Sequence, residues 1–147
     1  AWALLMAFAS PRHRVLGLTI TAGNVGLEHT VRNALKLCEV ANVDVPVYPG
    51  CAVPLVFEAE DAAYVHGRDG FGDTGYLAPA RSAETEHAAL AILRESHAHP
   101  GLLLVCLGPL TNLALALRLD PTLPSRIGRL AVMGGAVTGQ GNTSVSA

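Results

Sequence analysis

Leu102-Leu-Leu-Val-Cys106-Leu-Gly108-Pro-Leu-Thr-Asn112 is the stretch that decides the fold. A short apolar run closed by Gly-Pro reads as a fully buried strand. Directly after it, Leu110 to Leu119 carries Leu113, Ala114 and Leu117 at helical spacing. A strand therefore feeds a helix. The turn between them lies at the strand's carboxyl end, where open α/β sheets place their ligands.

The flanking segments repeat that grammar. Upstream, Glu84–His97 reads as a helix with an acidic first turn and a histidine at its end, as the helix dipole favours. Downstream, Arg129–Met133 reads as a second buried strand, stopped by Gly134-Gly135, which is read either as a tight turn or as room for a ligand. Towards the start, Val15–Thr21 is a strand rich in β-branched residues. The turn Ala22-Gly-Asn24-Val-Gly26 follows, then a helix over Leu27–Ala41 with Leu27, Val31, Ala34, Leu35 and Cys38 on one stripe. Asp44–Gly50 reads as a loop and a short strand. Cys51–Ala80 is a long irregular segment, of the kind that is usually functional or mobile. Ala1–Ala9 is apolar all round and is predicted to be a buried helix, ended by Ser10-Pro11. Helices alternating with short strands predict an α/β fold: a mainly parallel sheet with flanking helices, Rossmann-like in layout.

Composition narrows the function. The chain has 147 residues, half of them hydrophobic, 15% charged, with a net charge of −2. That suits one domain with a real core and excludes a disordered chain. Lys and Arg do not cluster and aromatics are scarce, so neither nucleic acid nor an anionic membrane is expected as a partner. The apolar start is too short for a span, which needs about 20 residues, and no basic region precedes it as a signal peptide would require. The cysteines Cys38, Cys51 and Cys106 form no C-x-x-C pair, and a reducing, cytoplasmic setting is expected.

Familiar catalytic signatures are missing. No G-x-G-x-x-G follows a strand, and there is no Walker loop, G-x-S-x-G or H-E-x-x-H. What collects at the strand ends is amide and imidazole: Asn24, Asn112 and Asn142, with His66 in the long loop. Asn both donates and accepts, which suits sugar hydroxyls; it equally suits turns, and Asn112 reads as a structural brace. His66 is placed either to meet a substrate or to sit in solvent. His97-Ala-His99 reads as a solvated helix terminus, and Glu58-Ala-Glu60-Asp61 as a solvated charge run. His13, His29 and His87 read as surface residues.

The ordered set Thr21-Ala-Gly-Asn24, Arg32-Asn33-Ala34, Val47-Tyr-Pro-Gly50, Val65-His-Gly67 with Asp69-Gly70, Gly108-Pro-Leu-Thr-Asn-Leu113, Val132-Met-Gly-Gly135 and Gly141-Asn142 resembles the inosine-uridine preferring nucleoside hydrolase family. The resemblance covers residues 1–147. It implies hydrolysis of the N-glycosidic bond of purine or pyrimidine ribonucleosides to base and ribose, with a calcium ion, in an enzyme expected to be a homo-oligomer. Calcium favours carboxylate, carbonyl and hydroxyl oxygens, as a ribose site supplies. By the resemblance, Asn24 binds a ribose hydroxyl, His66 lies on the nucleobase side, and Met133 and Asn142 line the ribose. Leu107 gives calcium its backbone carbonyl. The family's D-x-D-x-G-x-D-D loop, with the general-base aspartate, would lie upstream of Ala1, and its Glu-Phe-Asn segment beyond Ala147. No catalytic residue is therefore assigned here. Residues 1–147 are expected to be a partial domain with no calcium site and no turnover of their own. The alternatives are a non-catalytic nucleoside- or partner-binding remnant of the same fold, and an unrelated α/β module.

Overall fold

The computed structural model describes residues 1–135. Its element order is α1 (Trp2–Ala9), β1 (Leu18–Ile20), α2 (Leu27–Val40), β2 (Val47–Pro49), α3 (Ala63–His66), α4 (Ala88–Ala98), β3 (Leu102–Cys106), α5 (Thr111–Leu119), a 3₁₀ turn (Leu123–Arg126) and β4 (Ile127–Val132). The strand–turn–helix predicted at Leu102–Leu119 is therefore present as β3 and α5.

The strands pair in parallel, as expected. β1 and β2 align Leu18 with Val47 and Ile20 with Pro49, joined by the crossover helix α2. β3 and β4 align Leu104 with Leu130 and Cys106 with Val132, joined by α5. Among the described residues these are two separate two-stranded sheets rather than one ladder. A small cavity lies between them, lined by Thr19 and Thr21 on one side and Leu104 to Leu107 on the other.

Two apolar clusters hold the layers. Leu18, Ala34, Leu35, Cys38, Val45 and Val47 pack α2 on the first sheet. Ala89, Ile92, Ala116 and Leu123 pack α4 on α5, where small alanines let the helices come close. Among the described residues no helix is long and apolar enough to cross a membrane.

Burial departs from the sequence reading in two places. α1 has no buried residue: Leu4 and Phe8 pack on the first cluster, while Trp2 and Met6 face outward. Its apolar circumference promised cover on every side, and the described residues cover only one. β3 and β4 are likewise not fully buried, since Leu103, Val105, Leu130 and Val132 are exposed. Their hydrophobicity is real, but β3 is covered on one face only and β4 is open on both beyond Ile127.

α4 begins later than expected, at Ala88, so Glu84 and Glu86 precede it rather than form its first turn. The true cap is His87, whose Nδ1 accepts the Ala89 N–H at 3.1 Å; His87 is thus not a bystander on the surface. Glu86 instead pairs with Arg94 at 2.8 Å.

The far end of α5 is closed by Asp120. Its Oδ1 accepts from Thr122 N–H at 2.9 Å and Thr122 Oγ1 at 2.6 Å. Its Oδ2 accepts from Arg126 at 2.5 Å, and Arg126 also donates to Ser96 of α4 at 3.0 Å. The Thr122 bonds, then Arg126, hold the Asp120 carboxyl down at about 2, against an ordinary 3.8. A depressed carboxylate stabilises the fold above its unfolded pKa, and that contribution is lost as pH falls through about 2. Asp120→Asn is therefore expected to lower the melting temperature near neutral pH, with the gap to wild type closing in acid. Thermal melts across the acid range check this.

Candidate functional site

The turns after β1 and β3 meet. Thr21 Oγ1 and the Ala22 N–H both donate to the Cys51 carbonyl at 3.0 Å, fixing the first turn to the end of β2. A Cβ placed on Gly23 would lie 3.5 Å from the Pro109 ring, and one on Gly108 would lie 3.8 Å from Thr21. Thr21 and Pro109 line both the cavity between the sheets and a neighbouring open cleft of about 200 Å³. Asp61 and Glu60 stand on the rim of that cleft. On the other side of β3, Met133 N–H donates to the Cys106 carbonyl at 2.8 Å. Met133 thus sits beside Leu107 at the carboxyl edge.

Asn112 locks this edge. It is buried in the first turn of α5. Its Nδ2 donates to the carbonyl of Ile20, the last residue of β1, at 2.9 Å. Its Oδ1 accepts the N–H of Cys51, just past β2, at 2.8 Å. One amide therefore ties the ends of two strands to the start of a helix from the other half of the molecule. The sequence reading of Asn112 as a brace matches this, although its partners lie 92 and 61 residues away.

The structure places the predicted residues as follows. Asn24 is exposed in the turn after β1. Its carbonyl accepts the Ala62 N–H at 2.8 Å, and Ala62 is the residue from which α3 starts. His66 ends α3 and is exposed. That backbone bond draws the Asn24 turn and the His66 segment together. Asp61 Oδ1 supports the start of α3 by accepting the Ala63 N–H at 3.1 Å, so the charge run is more than solvated surface. Leu107 and Met133 are exposed on neighbouring strand ends. Asn142 lies outside the described residues. His97 and His99 point to separate carboxylates, Asp120 and Glu95.

Sequence reasoning named Asn33 only within the Arg32-Asn33-Ala34 motif and gave it no role. It is buried in α2 and holds the long loop at two points, Asp69 and Tyr76. The available signal was a polar residue adjoining the apolar stripe of α2. Because of this clamp, the segment between Gly67 and Tyr76 is anchored to α2.

Burial pushes the thiols of Cys51 and Cys106 up, which disfavours the nucleophilic thiolate. Among the described residues no three His, Cys, Asp or Glu side chains group as a metal site. Calcium takes six to eight oxygens, and the ligand the resemblance assigns among these residues, the Leu107 carbonyl, is neutral. These residues alone do not fit calcium.

The inosine-uridine preferring nucleoside hydrolase model matches residues 1–147. The chain belongs to that family. It is 40% identical over 148 residues to uridine nucleosidase 1 of Arabidopsis thaliana, covering 99% of this chain and 44% of the relative. It is 37% identical to a pyrimidine-specific ribonucleoside hydrolase of Escherichia coli, covering 100% of this chain and 47% of the relative. Among solved structures, a plant nucleoside hydrolase superposes with a TM-score of 0.91 at 36% identity, over 97% of this chain and 46% of that one. A purine-preferring ribonucleoside hydrolase from Gardnerella vaginalis gives 0.88 at 34% identity, over 97% and 48%. The chain thus spans under half the length of these nucleoside hydrolases.

Proposed function

We propose that the whole protein hydrolyses the N-glycosidic bond of ribonucleosides, releasing base and ribose, and that residues 1–147 form the wall that holds the substrate. The observation that carries this reading is the meeting of the turns after β1 and β3 over a shared cleft, with Met133 at the end of β4 bonded beside them. Asn24 would meet a ribose hydroxyl, as its amide can donate and accept. His66 would face the base from the segment bonded to the Asn24 turn, and Met133 would pack against the sugar. Asn142 would join them. Holding a sugar this way aligns it for attack before any bond changes.

Calcium is proposed for the whole protein, with carboxylate ligands from outside these residues and one carbonyl from Leu107. A cytoplasmic homo-oligomer is proposed as well; the three unpaired thiols suit a reducing compartment. The relatives' names include uridine, pyrimidine and purine preferences, so inosine and uridine are both the proper probes.

The test is a reducing-sugar assay on the whole protein with inosine and uridine, with and without a calcium chelator. Chelator-sensitive ribose release is expected. No ribose above blank would overturn the hydrolase reading, and nucleoside binding without release would favour a non-catalytic remnant. The 147-residue chain alone is expected to show neither turnover nor saturable calcium binding by calorimetry.

A further inference from the structure

The geometry points to Asn33 as a positioning residue for His66, acting through a clamped loop; this rests on the proposed role of His66 beside the base. Asn33 lies on α2 and bonds groups of the loop rather than any candidate substrate-binding residue. Its Nδ2 donates to the Asp69 carbonyl at 2.8 Å. Its Oδ1 accepts the Tyr76 hydroxyl. One buried amide therefore grips the loop at both ends of the stretch between Asp69 and Tyr76.

The grip is reinforced at each end. Arg32, one residue earlier on α2, donates to the Tyr76 carbonyl at 3.1 Å and stacks over the Tyr76 ring at 4.9 Å. Burial raises the Tyr76 phenol, a direction that favours the protonated form that donates to Asn33. The Asp69 carboxylate accepts the N–H groups of Phe71 at 2.7 Å and Asp73 at 3.0 Å, and these bonds hold its pKa low. Gly70 sits between Asp69 and Phe71 at a φ of +75°, and a Cβ there would meet the Val25 side chain at 2.8 Å and Asn33 Nδ2 at 3.1 Å. Only glycine lets the backbone come this close to Asn33.

The loop then transmits the clamp to His66. The Gly72 N–H donates to the His66 carbonyl at 2.8 Å. From the other side, the start of α3 is bonded to the Asn24 carbonyl. His66 is thus held between a turn proposed to bind ribose and a loop anchored to α2. A side chain exposed to solvent gains its orientation from such supports. Without Asn33, the His66 carbonyl would lose a fixed partner, and base-side contacts would have to be ordered on binding at a cost in affinity.

The experiment uses the whole protein with Asn33→Ala and, since that change could impair folding, Tyr76→Phe, which removes a single hydroxyl and keeps the ring under Arg32. Two readouts are taken, amide hydrogen exchange and steady-state kinetics. Exchange across residues 66–76 is expected to rise about tenfold in Tyr76→Phe, the loss of one net hydrogen bond, and further in Asn33→Ala, which loses two, with the two sheets unchanged. KM is expected to rise about tenfold with kcat nearly constant, the signature of lost binding shared by ground and transition states. In a His66→Ala background, either variant is expected to add nothing further to KM. Unchanged exchange in the loop overturns the inference. So does a KM increase of the same size with and without His66, because that is a structural effect bypassing the histidine. If the wild type releases no ribose, the hydrolase reading falls, while loop exchange still decides whether Asn33 holds His66.

Discussion

Asn112→Ala is expected to cost the whole protein about 2–6 kcal/mol, the sum of two partly buried polar groups losing their partners at roughly 1–3 kcal/mol each. The groups are the Ile20 carbonyl and the Cys51 N–H, at 2.9 and 2.8 Å from the amide. Neither strand end has a ready substitute, because β1 and β3 do not pair directly. Asn112→Asp is no rescue. It keeps an acceptor for Cys51 but sets its second oxygen against the Ile20 carbonyl, two acceptors with no proton between them. Gly50→Ala reaches the same amide from the opposite direction. A Cβ on Gly50 would lie 2.2 Å from Asn112 Oδ1, so the amide would have to move. Urea midpoints at constant slope measure both changes. A midpoint for Asn112→Ala within experimental error of wild type would show that Asn112 is not the brace its contacts make it.

The same residue shows what was legible in the sequence. The run from Leu102 to Asn112 announces its own geometry, because apolar run, Gly-Pro and helical spacing are local signals. The brace at Asn112 was visible as a type of residue in a type of place. Its partners were not, since they lie 61 and 92 residues earlier and the contact exists only once the sheets are assembled. Asn33 was less visible still: apolar periodicity finds Val31, Ala34 and Leu35, and passes over the amide among them. The loop it holds therefore read as irregular, although the structure fixes it. The start of α4 failed for a related reason. Glu84 and Glu86 looked like dipole partners, but the Glu84 N–H donates to the Val47 carbonyl and the Glu86 carboxylate to Arg94 is an ion pair, so tertiary contacts claimed both. α1 failed on burial because hydrophobicity reports a preference for cover, and the described residues supply cover on one side only.

Asn24→Ala is expected to lower kcat/KM for ribonucleosides by about 10–10², the loss of a hydrogen-bond partner for a bound hydroxyl at roughly 1–3 kcal/mol. The reasoning begins with exposure. The Asn24 side chain stands free in solvent while its carbonyl is taken by Ala62, so the backbone is fixed and the amide is left open to a ligand. Removing the amide should therefore leave the fold nearly intact, unlike Asn112→Ala. The loss should also depend on the substrate. A site built to bond a hydroxyl discriminates strongly against an analogue lacking it, because its own polar group is then unpaired. Wild type should accordingly reject the 2′-deoxy or the 3′-deoxy nucleoside, and Asn24→Ala should narrow the gap for one of them. The hydroxyl whose deletion no longer matters in the variant is the one Asn24 holds. Equal losses on ribose and both deoxyriboses would remove Asn24 from the sugar site, and with it the turn after β1 as a binding element.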